Sequence, residues 1–300
     1  MSDQLQKISL VTGGTSGIGF ATAEELTRRG HLVLLHGRTK AKAEEAKKRI
    51  LEEHLPAPAG HASAGGEVQI IHAELGQPKQ IEAMAKAVLA DYPRIDNLIN
   101  NAGIWNSTLE LDERGVEKVL AVNHLAYAQL TYLLMPALKA APDGRIINVA
   151  SDSHRQIKGM FWDDLNLTNN YHGLKSYAQS KLANVLFTYE YERRRSEGDP
   201  LIFAVQPGLV RTDIGLKGNK WLHRFAWRVR RRMSGNKTPL EGASSNIFLA
   251  TEADIDAHSG KYFDDCKPKK SFSSSYDEEE ARKLWEWTLS QLGINNFFVA

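Results

Sequence analysis

The chain has one cysteine, Cys266, among 300 residues. An internal disulfide is therefore excluded, which fits a reducing compartment, and stability has to come from a buried core. The lone thiol reads as a small buried hydrophobe. No stretch reaches the roughly 18 to 20 apolar residues of a membrane span, and the opening MSDQLQK has no apolar signal-peptide centre. The expected location is cytoplasmic. Neither charge dominates: 38 Lys and Arg stand against 36 Asp and Glu, a net charge of +2. Nucleic acid is not an expected partner on that balance. The ten histidines are scattered and there is no HExxH or paired CxxC, so no metal site is expected. What remains is an ordinary globular composition, 42% hydrophobic and 25% charged, in a chain long enough to bury a core without staples.

Short apolar runs alternate with amphipathic segments. Ile8 to Val11 reads as a strand, and about Ile18 to Arg29 as a helix that Gly30 stops. HLVLLHGR is a second buried strand ending near Arg38, and Ala41 to His54 a charged helix. Leu55 to Gly66, rich in Pro, Ala and Gly, reads as a surface loop, since strand-like VQIIHAEL resumes directly after it. A helix over about Pro78 to Ala90, a strand at Asp96 to Ile99 and a long helix over Glu113 to Lys139 follow. Arg145 to Val149 is a strand, a helix reaches about Arg195, and Leu201 to Val205 is another strand. This alternation predicts a single doubly wound α/β domain, its parallel sheet covered by helices on both faces. Ligands of such sheets bind beyond the carboxyl ends of the strands. TGGTSGIG, Arg38, Glu74, NNAG, Ser151 and Pro207–Gly208 all fall at such ends.

Gly13, Gly17 and Gly19 form a GxxxGxG pattern between a strand and a helix. Glycines there permit a tight turn and close approach to a pyrophosphate, and the following helix N-terminus favours anions. An ordinary Gly-rich turn is the alternative; the strand before and the helix after favour a nucleotide. The second strand ends His36, Gly37, Arg38, with no acid among them. A carboxylate there would bind a ribose 2′-OH, whereas an arginine accommodates a 2′-phosphate. Arg38 is either that clamp or a solvated side chain; NADP(H) over NAD(H) is the expectation.

Tyr177 and Lys181 stand one helical turn apart, on one helix face. A cation beside a phenol stabilises the phenolate and draws the tyrosine pKa towards neutrality, which suits proton exchange with a substrate oxygen. Taken alone, the spacing equally describes a surface tyrosine beside a surface lysine.

TGxxxGxG, NNAG (Asn100 to Gly103), Asn123, Ser151, Tyr177xxxLys181 and Pro207–Gly208 occur in this order. The chain thereby resembles the short-chain dehydrogenase/reductase family over roughly residues 7 to 265. SKLANVLFT, the LWEW segment and the 26-residue gap from Ser151 to Tyr177 are similar to its retinol dehydrogenase-like branch. The resemblance implies a Rossmann-type fold and an oxidoreductase interconverting a carbonyl and an alcohol. Tyr177 would be the general acid or base, Lys181 would tune it and hold the nicotinamide ribose, and Ser151 would hydrogen-bond the substrate oxygen. Asn123 would anchor a relay water. The implied cofactor set is Gly13, Thr15, Ser16, Gly17, Ile18, Gly19, Arg38, Glu74, Leu75, Asn101, Ala102, Gly103, Tyr177, Lys181, Pro207, Gly208, Val210 and Thr212. Glu74 stands where the family usually has aspartate. Membrane-anchored members of the retinol branch carry a hydrophobic N-terminal segment that this sequence lacks, which weighs against a retinoid substrate. A non-catalytic NADP-binding regulator and a double-bond reductase on the same fold are the alternatives.

Residues 209–240 read as a substrate lid. Within 217–234, Trp221, Phe225 and Val229 recur every fourth residue, opposite Lys220, Arg224, Arg228, Arg231 and Arg232. This basic amphipathic helix would pack its apolar face on the pocket; the alternative is peripheral contact with an anionic bilayer. The substrate expected is a lipophilic carbonyl or alcohol, and a homo-oligomer is left open. Phe161, Trp162 and Tyr171 either line an apolar pocket or pack the long loop against the body, and His154 reads as a local hydrogen-bonding residue. Leu284, Trp285 and Trp287, within about 277–292, read as a helix docking on the core.

Overall fold

The computed structural model describes residues 5–53, 65–210 and 237–298. Strands β1 (Ile8–Val11), β2 (Leu32–Gly37), β3 (Glu67–His72), β4 (Asn97–Asn100), β5 (Arg145–Val149), β6 (Leu201–Gln206), β7 (Tyr262–Asp264) and β8 (Lys267–Pro268) make one sheet. Their order is β3-β2-β1-β4-β5-β6-β7-β8. Every pairing is parallel except β7 with β8. The order reverses between β1 and β4, which opens a crevice at their carboxyl ends.

Successive strand residues point to opposite faces, so a fully buried strand reads as a continuous apolar run. Leu10, Leu34, Leu98, Ile146 and Ile202 face one way. They pack on Ile81 of α3 (Pro78–Asp91), Leu130 of α5 (Ala126–Leu133), Phe187 of α7 (Gly173–Arg194) and Trp285 of α9 (Glu278–Leu292). Val11, Leu35, Ile99, Ile147 and Phe203 face the other. They meet Leu26 of α1 (Gly17–Arg28), Ile50 of α2 (Lys40–Glu53) and Leu249 of α8 (Pro239–Thr251). The sheet is covered on both faces, as the alternation predicts.

The structure corrects the sequence reading in several places. The helix expected over Glu113 to Lys139 starts only at α4 (Lys118–Leu120), runs through a π turn at Ala121–Leu125 into α5, and ends as the short α6 (Met135–Lys139). Its start is set by Glu117, whose carboxylate accepts from the Val119 and Leu120 amides. Its later break, at Leu134, precedes Pro136, which cannot continue an α-helical ladder. Cys266 is half-exposed rather than buried, because it sits in the β7–β8 turn with φ 59°. The strands β7 and β8 and the helix α8 have no counterpart in the sequence reading. The tail is the expected docked helix: Leu284 and Trp285 are buried in α9. The 55–64 part of the Pro/Ala/Gly-rich loop and the basic amphipathic stretch 217–234 lie outside the described residues. Among the described residues no helix is long and apolar enough to cross a membrane, and no cluster of metal-ligating side chains forms.

Candidate active site

The glycine turn is built as tightly as its residue types permit. Gly13 has φ 64° and Gly17 φ 58°, a conformation L side chains rarely adopt. A Cβ on Gly19 would lie 2.3 Å from the Asn101 Nδ2 and 2.3 Å from the Gly13 carbonyl oxygen. Asn101 Nδ2 donates to the Thr12 carbonyl at 2.8 Å, and the Thr12 hydroxyl accepts the Asn101 and Ala102 amides at 2.8 and 3.0 Å. The turn after β1 is thereby locked to the segment after β4. Ser16 precedes α1 in an extended conformation and its side chain makes no capping bond; no acid occupies the first turn. The leading amides of a helix have no intrahelical acceptor, so this end is suited to a phosphate.

His36, at the end of β2, holds the same turn from the other side. It is 2% exposed. Its Nδ1 accepts from the Gly13 amide at 3.1 Å, which fixes the proton on Nε2, and Nε2–H donates to the Ala73 carbonyl at 3.1 Å. Burial pushes its pKa down to about 4, so the ring stays neutral at physiological pH. The Gly14 amide donates to the His36 carbonyl. The sequence reading used His36 only as a non-acid; a histidine in an otherwise apolar strand end was the available signal.

Arg38 is exposed beyond β2, and its Nε stands 3.9 Å from Glu74 Oε2 beyond β3. Both predicted side chains therefore lie at one rim of the crevice. Leu75 is buried with the α3 face of the core, so only its backbone is available there. Val210 bridges to Lys237, and a Cβ on Gly242 would meet both Val210 and Ile18. Gly208 turns the chain after β6 with φ 83°, its amide donating to Gln206 Oε1 at 2.9 Å. Pro207 lies beside it; Thr212 lies outside the described residues.

The residues expected to do chemistry converge at the ends of β4 and β5. Lys181, 2% exposed, donates from Nζ to the Val149 carbonyl at 2.7 Å. Its ammonium sits 5.6 Å from the Tyr177 ring centre and 5.7 Å from that of Tyr127. A Cβ at Gly103 would stand 3.5 Å from Asn123 Oδ1 and 3.8 Å from Lys181 Nζ, so NNAG meets both side chains. Ser151 lies near enough to Tyr177 to lower the pKa of its phenol, while its hydroxyl bonds the Ser153 amide and hydroxyl at 3.2 Å. Asn123 lies in the π turn; its carboxamide accepts the Ile104 amide at 2.8 Å and donates to the Ile104 carbonyl and Ser180 Oγ at 3.0 Å. Tyr127, which the sequence reading passed over, donates to the Ala102 carbonyl at 2.7 Å.

The electrostatics reverse one expectation. Desolvation pushes the Tyr177 phenol up to about 12, and the nearby Ser151 hydroxyl works against it only in part. Desolvation likewise brings Lys181 down to about 7. In the chain alone no cation among the described residues offsets the burial of the phenol: with Lys181 lowered to about 7, its amine is neutral over the range where Tyr177 ionises. A protonated phenol beside an ammonium titrating near neutrality can give a proton to a nascent alkoxide and be resupplied.

The long loop also resolves. Phe161 and Trp162 pack against the cluster that includes Leu120, Leu182 and Leu284. Tyr171 donates to Glu117 Oε1 at 3.1 Å and Ser176 Oγ to Glu117 Oε2 at 3.0 Å. These aromatics hold the loop to the body. Glu117, fully buried, ties that loop and the start of α7 to the helix bearing Asn123, and burial raises its pKa. It carried no recognisable sequence signal. His154 hydrogen-bonds as expected but not only locally: it bonds the Ser151 carbonyl at 2.6 Å and the Phe272 amide at 3.0 Å.

The short chain dehydrogenase family model matches residues 7–223. The chain is 36% identical over 295 residues to mouse (Mus musculus) retinol dehydrogenase 14, covering 96% of this chain and 86% of that protein. It is 36% identical over 298 residues to human (Homo sapiens) retinol dehydrogenase 13, covering 96% and 85%. Among solved structures, an uncharacterized protein from Mycobacterium paratuberculosis superposes with a TM-score of 0.71 at 26% identity, covering 97% of this chain and 94% of that one. A 3-oxoacyl (acyl-carrier-protein) reductase from Agrobacterium tumefaciens, solved with NADP bound, shares the fold with a TM-score of 0.65 at 23% identity, covering 86% and 92%. Sheet order, glycine turn and the Ser151, Tyr177 and Lys181 cluster agree with these likenesses: the chain belongs to the short chain dehydrogenase family and is an oxidoreductase of alcohols and carbonyls.

Proposed function

We propose that this protein is an NADP(H)-dependent oxidoreductase that interconverts a lipophilic carbonyl compound and its alcohol. The observation that carries the reading is the placement of Lys181 Nζ beside both Gly103 and the Tyr177 ring, next to the locked glycine turn. The residues fit a dinucleotide: the uncapped start of α1 suits a pyrophosphate, and the clearance at Gly19 leaves the turn no room for a side chain. When bound, the nicotinamide supplies or accepts the hydride.

This chain's own residues handle the proton. Ser151 donates a hydrogen bond to the substrate oxygen as charge develops on it. Tyr177, held protonated at neutral pH by its burial, gives its proton to that oxygen in the reductive direction. Lys181, poised near neutrality, returns a proton towards Tyr177 and offers its ammonium to ribose hydroxyls. In oxidation the same proton path runs backwards. Asn123 holds Ile104 and Gly103 in place beneath this cluster.

Arg38 supports NADP(H) over NAD(H), since β2 ends without a carboxylate and Arg38 has the geometry to pair with a 2′-phosphate. The retinol dehydrogenases among its relatives support an apolar alcohol or aldehyde as substrate. The test is consumption of NADPH and of NADH with a panel of long-chain aldehydes, ketones and retinal, with the product identified by mass spectrometry. NADPH-driven conversion of C=O to CH–OH is the expected result. Dinucleotide binding without turnover on any carbonyl, or saturation of a C=C bond instead, overturns the reading.

A further inference from the structure

The family match ends at residue 223, yet the segment after β7 reaches back to the elements that carry the expected catalytic groups. His154 is fully buried. Its Nε2 accepts the amide proton of Phe272 at 3.0 Å, which fixes the other ring proton on Nδ1, and Nδ1–H donates to the Ser151 carbonyl at 2.6 Å. One imidazole thus joins the peptide of Ser151 to a backbone amide 118 residues later. The surrounding contacts repeat the link. Arg155 donates to the Lys270 carbonyl at 2.8 Å, and Tyr189 of α7 bonds Ser271 Oγ at 2.7 Å.

Further along, α9 holds two more elements of the site. The Met160 amide, in the long loop, donates to the Glu280 carboxylate. His124, next to Asn123 in the π turn, bonds Thr288 Oγ1 through Nε2 at 2.9 Å. Both His124 and Thr288 are fully buried. Ala281 and Leu284 pack with Leu120, Leu125 and Leu182. Simple docking of an amphipathic helix needs the apolar contacts only; it does not need buried polar bonds aimed at the neighbours of Ser151 and Asn123.

We propose that the segment 270–288 is a clamp that sets the geometry of the catalytic cluster, and that His154 is the positioning residue through which it orients Ser151. This rests on the reading of Ser151 as the residue that meets the substrate oxygen. The Ser151 hydroxyl accepts the Ser153 amide at 3.2 Å, so its direction depends on the short turn that follows, Asp152–Gln156. The Ser151 carbonyl also accepts the His154 amide at 3.2 Å. That backbone bond survives loss of the imidazole, so the turn has a route to fold without it, while the link to Phe272 is lost. The clamp therefore acts on where the hydroxyl points.

The experiment compares His154→Leu, His154→Asn, and the pair Phe272→Pro and Phe272→Ala in the full chain. Asn places a donor near the Nδ1 position. Pro removes the Phe272 amide proton at a position whose φ is already −78°. Amide exchange at Ser153 and His154 is measured by NMR without dinucleotide, and kcat, KM and the NADPH Kd are measured separately. Expected for His154→Leu, and for Phe272→Pro relative to Phe272→Ala, is exchange faster by about tenfold or more. In the same variants kcat falls at least about tenfold while the NADPH Kd moves by less than about twofold, and His154→Asn, which keeps a donor for the Ser151 carbonyl but has no acceptor for the Phe272 amide, stays within about twofold of His154→Leu. Unchanged exchange in both variants, kcat within about twofold of wild type, or equal losses in kcat and NADPH affinity each overturn the clamp. If the wild-type chain turns over no carbonyl, it is the proposed activity that fails, and amide exchange alone decides the clamp.

Discussion

The Lys181 ammonium points to the Val149 carbonyl at 2.7 Å, while the Tyr177 ring it was expected to serve is centred 5.6 Å away. The β5 backbone therefore fixes the cation, and the phenol sits beside it rather than in its direct grip. Burial then governs both groups, raising the phenol and lowering the ammonium. The consequences are measurable.

Tyr177→Phe removes the proton donor and little else, because the ring volume is kept. Turnover is expected to fall by at least about 100-fold, with the NADPH Kd nearly unchanged. Steady-state kinetics beside fluorescence titration of NADPH check this. Near-full activity in the variant would refute the role.

Lys181 titrates at about 7 in the free protein, and its protonated form is the one that donates. The ratio kcat/KM for NADPH reports ionisations of the free enzyme. It is expected to decline as pH rises through about 7, and the decline should vanish in Lys181→Met along with most of the activity. A flat profile from pH 6 to 9 contradicts the assignment.

Among the described residues, the ion pair of Arg38 is a long one, 3.9 Å to Glu74, which leaves its exposed guanidinium able to turn towards a phosphate. Arg38→Asp replaces a phosphate partner with a ribose-hydroxyl partner. The ratio of kcat/KM for NADPH to that for NADH is expected to drop by about 100-fold or more. The same ratio in variant and wild type would remove Arg38 as the selector.

His31, His36 and His124 are buried and lowered to about 4, each chiefly by desolvation. Between about pH 6.5 and 4 the unfolded chain binds protons on these rings that the folded chain does not, so stability falls as pH falls. The upper bound is roughly 3 kcal/mol per ring. Lys181 acts at the other end: from about 7 to 10.5 only the unfolded chain holds its proton, so its contribution rises with pH. Thermal melts from pH 4 to 9 should show a steep loss of Tm below about 6.5. His36→Asn, which keeps an acceptor for the Gly13 amide, should flatten part of that loss. A Tm constant down to pH 4.5 would contradict the neutral, buried assignment.

Most strand cores were legible because a fully buried parallel strand is a bare apolar run: Ile8 to Val11, the LVLL of β2 and Arg145 to Val149 fall where the sequence put them. The ordered motifs were legible because the chemistry demands particular residue types at strand ends. The helix over Glu113 to Lys139 was misread because its periodicity is apolar throughout, while its true start depends on the Glu117 carboxylate. The packing role of Tyr171 was undecidable from sequence, since its partners Asn106 and Glu117 lie 65 and 54 residues away.

The sequence by itself determined the alternating sheet and helices, the tight glycine turn and the identity of the groups at the strand ends, because apolar periodicity, glycine backbone freedom and side-chain chemistry are local properties. The tertiary structure alone decided the protonation of those groups and who holds them. Desolvation and hydrogen bonding between segments far apart in the chain, such as Lys181 with Val149, His36 with Gly13 and His154 with Phe272, exist only once the sheet order has brought them together.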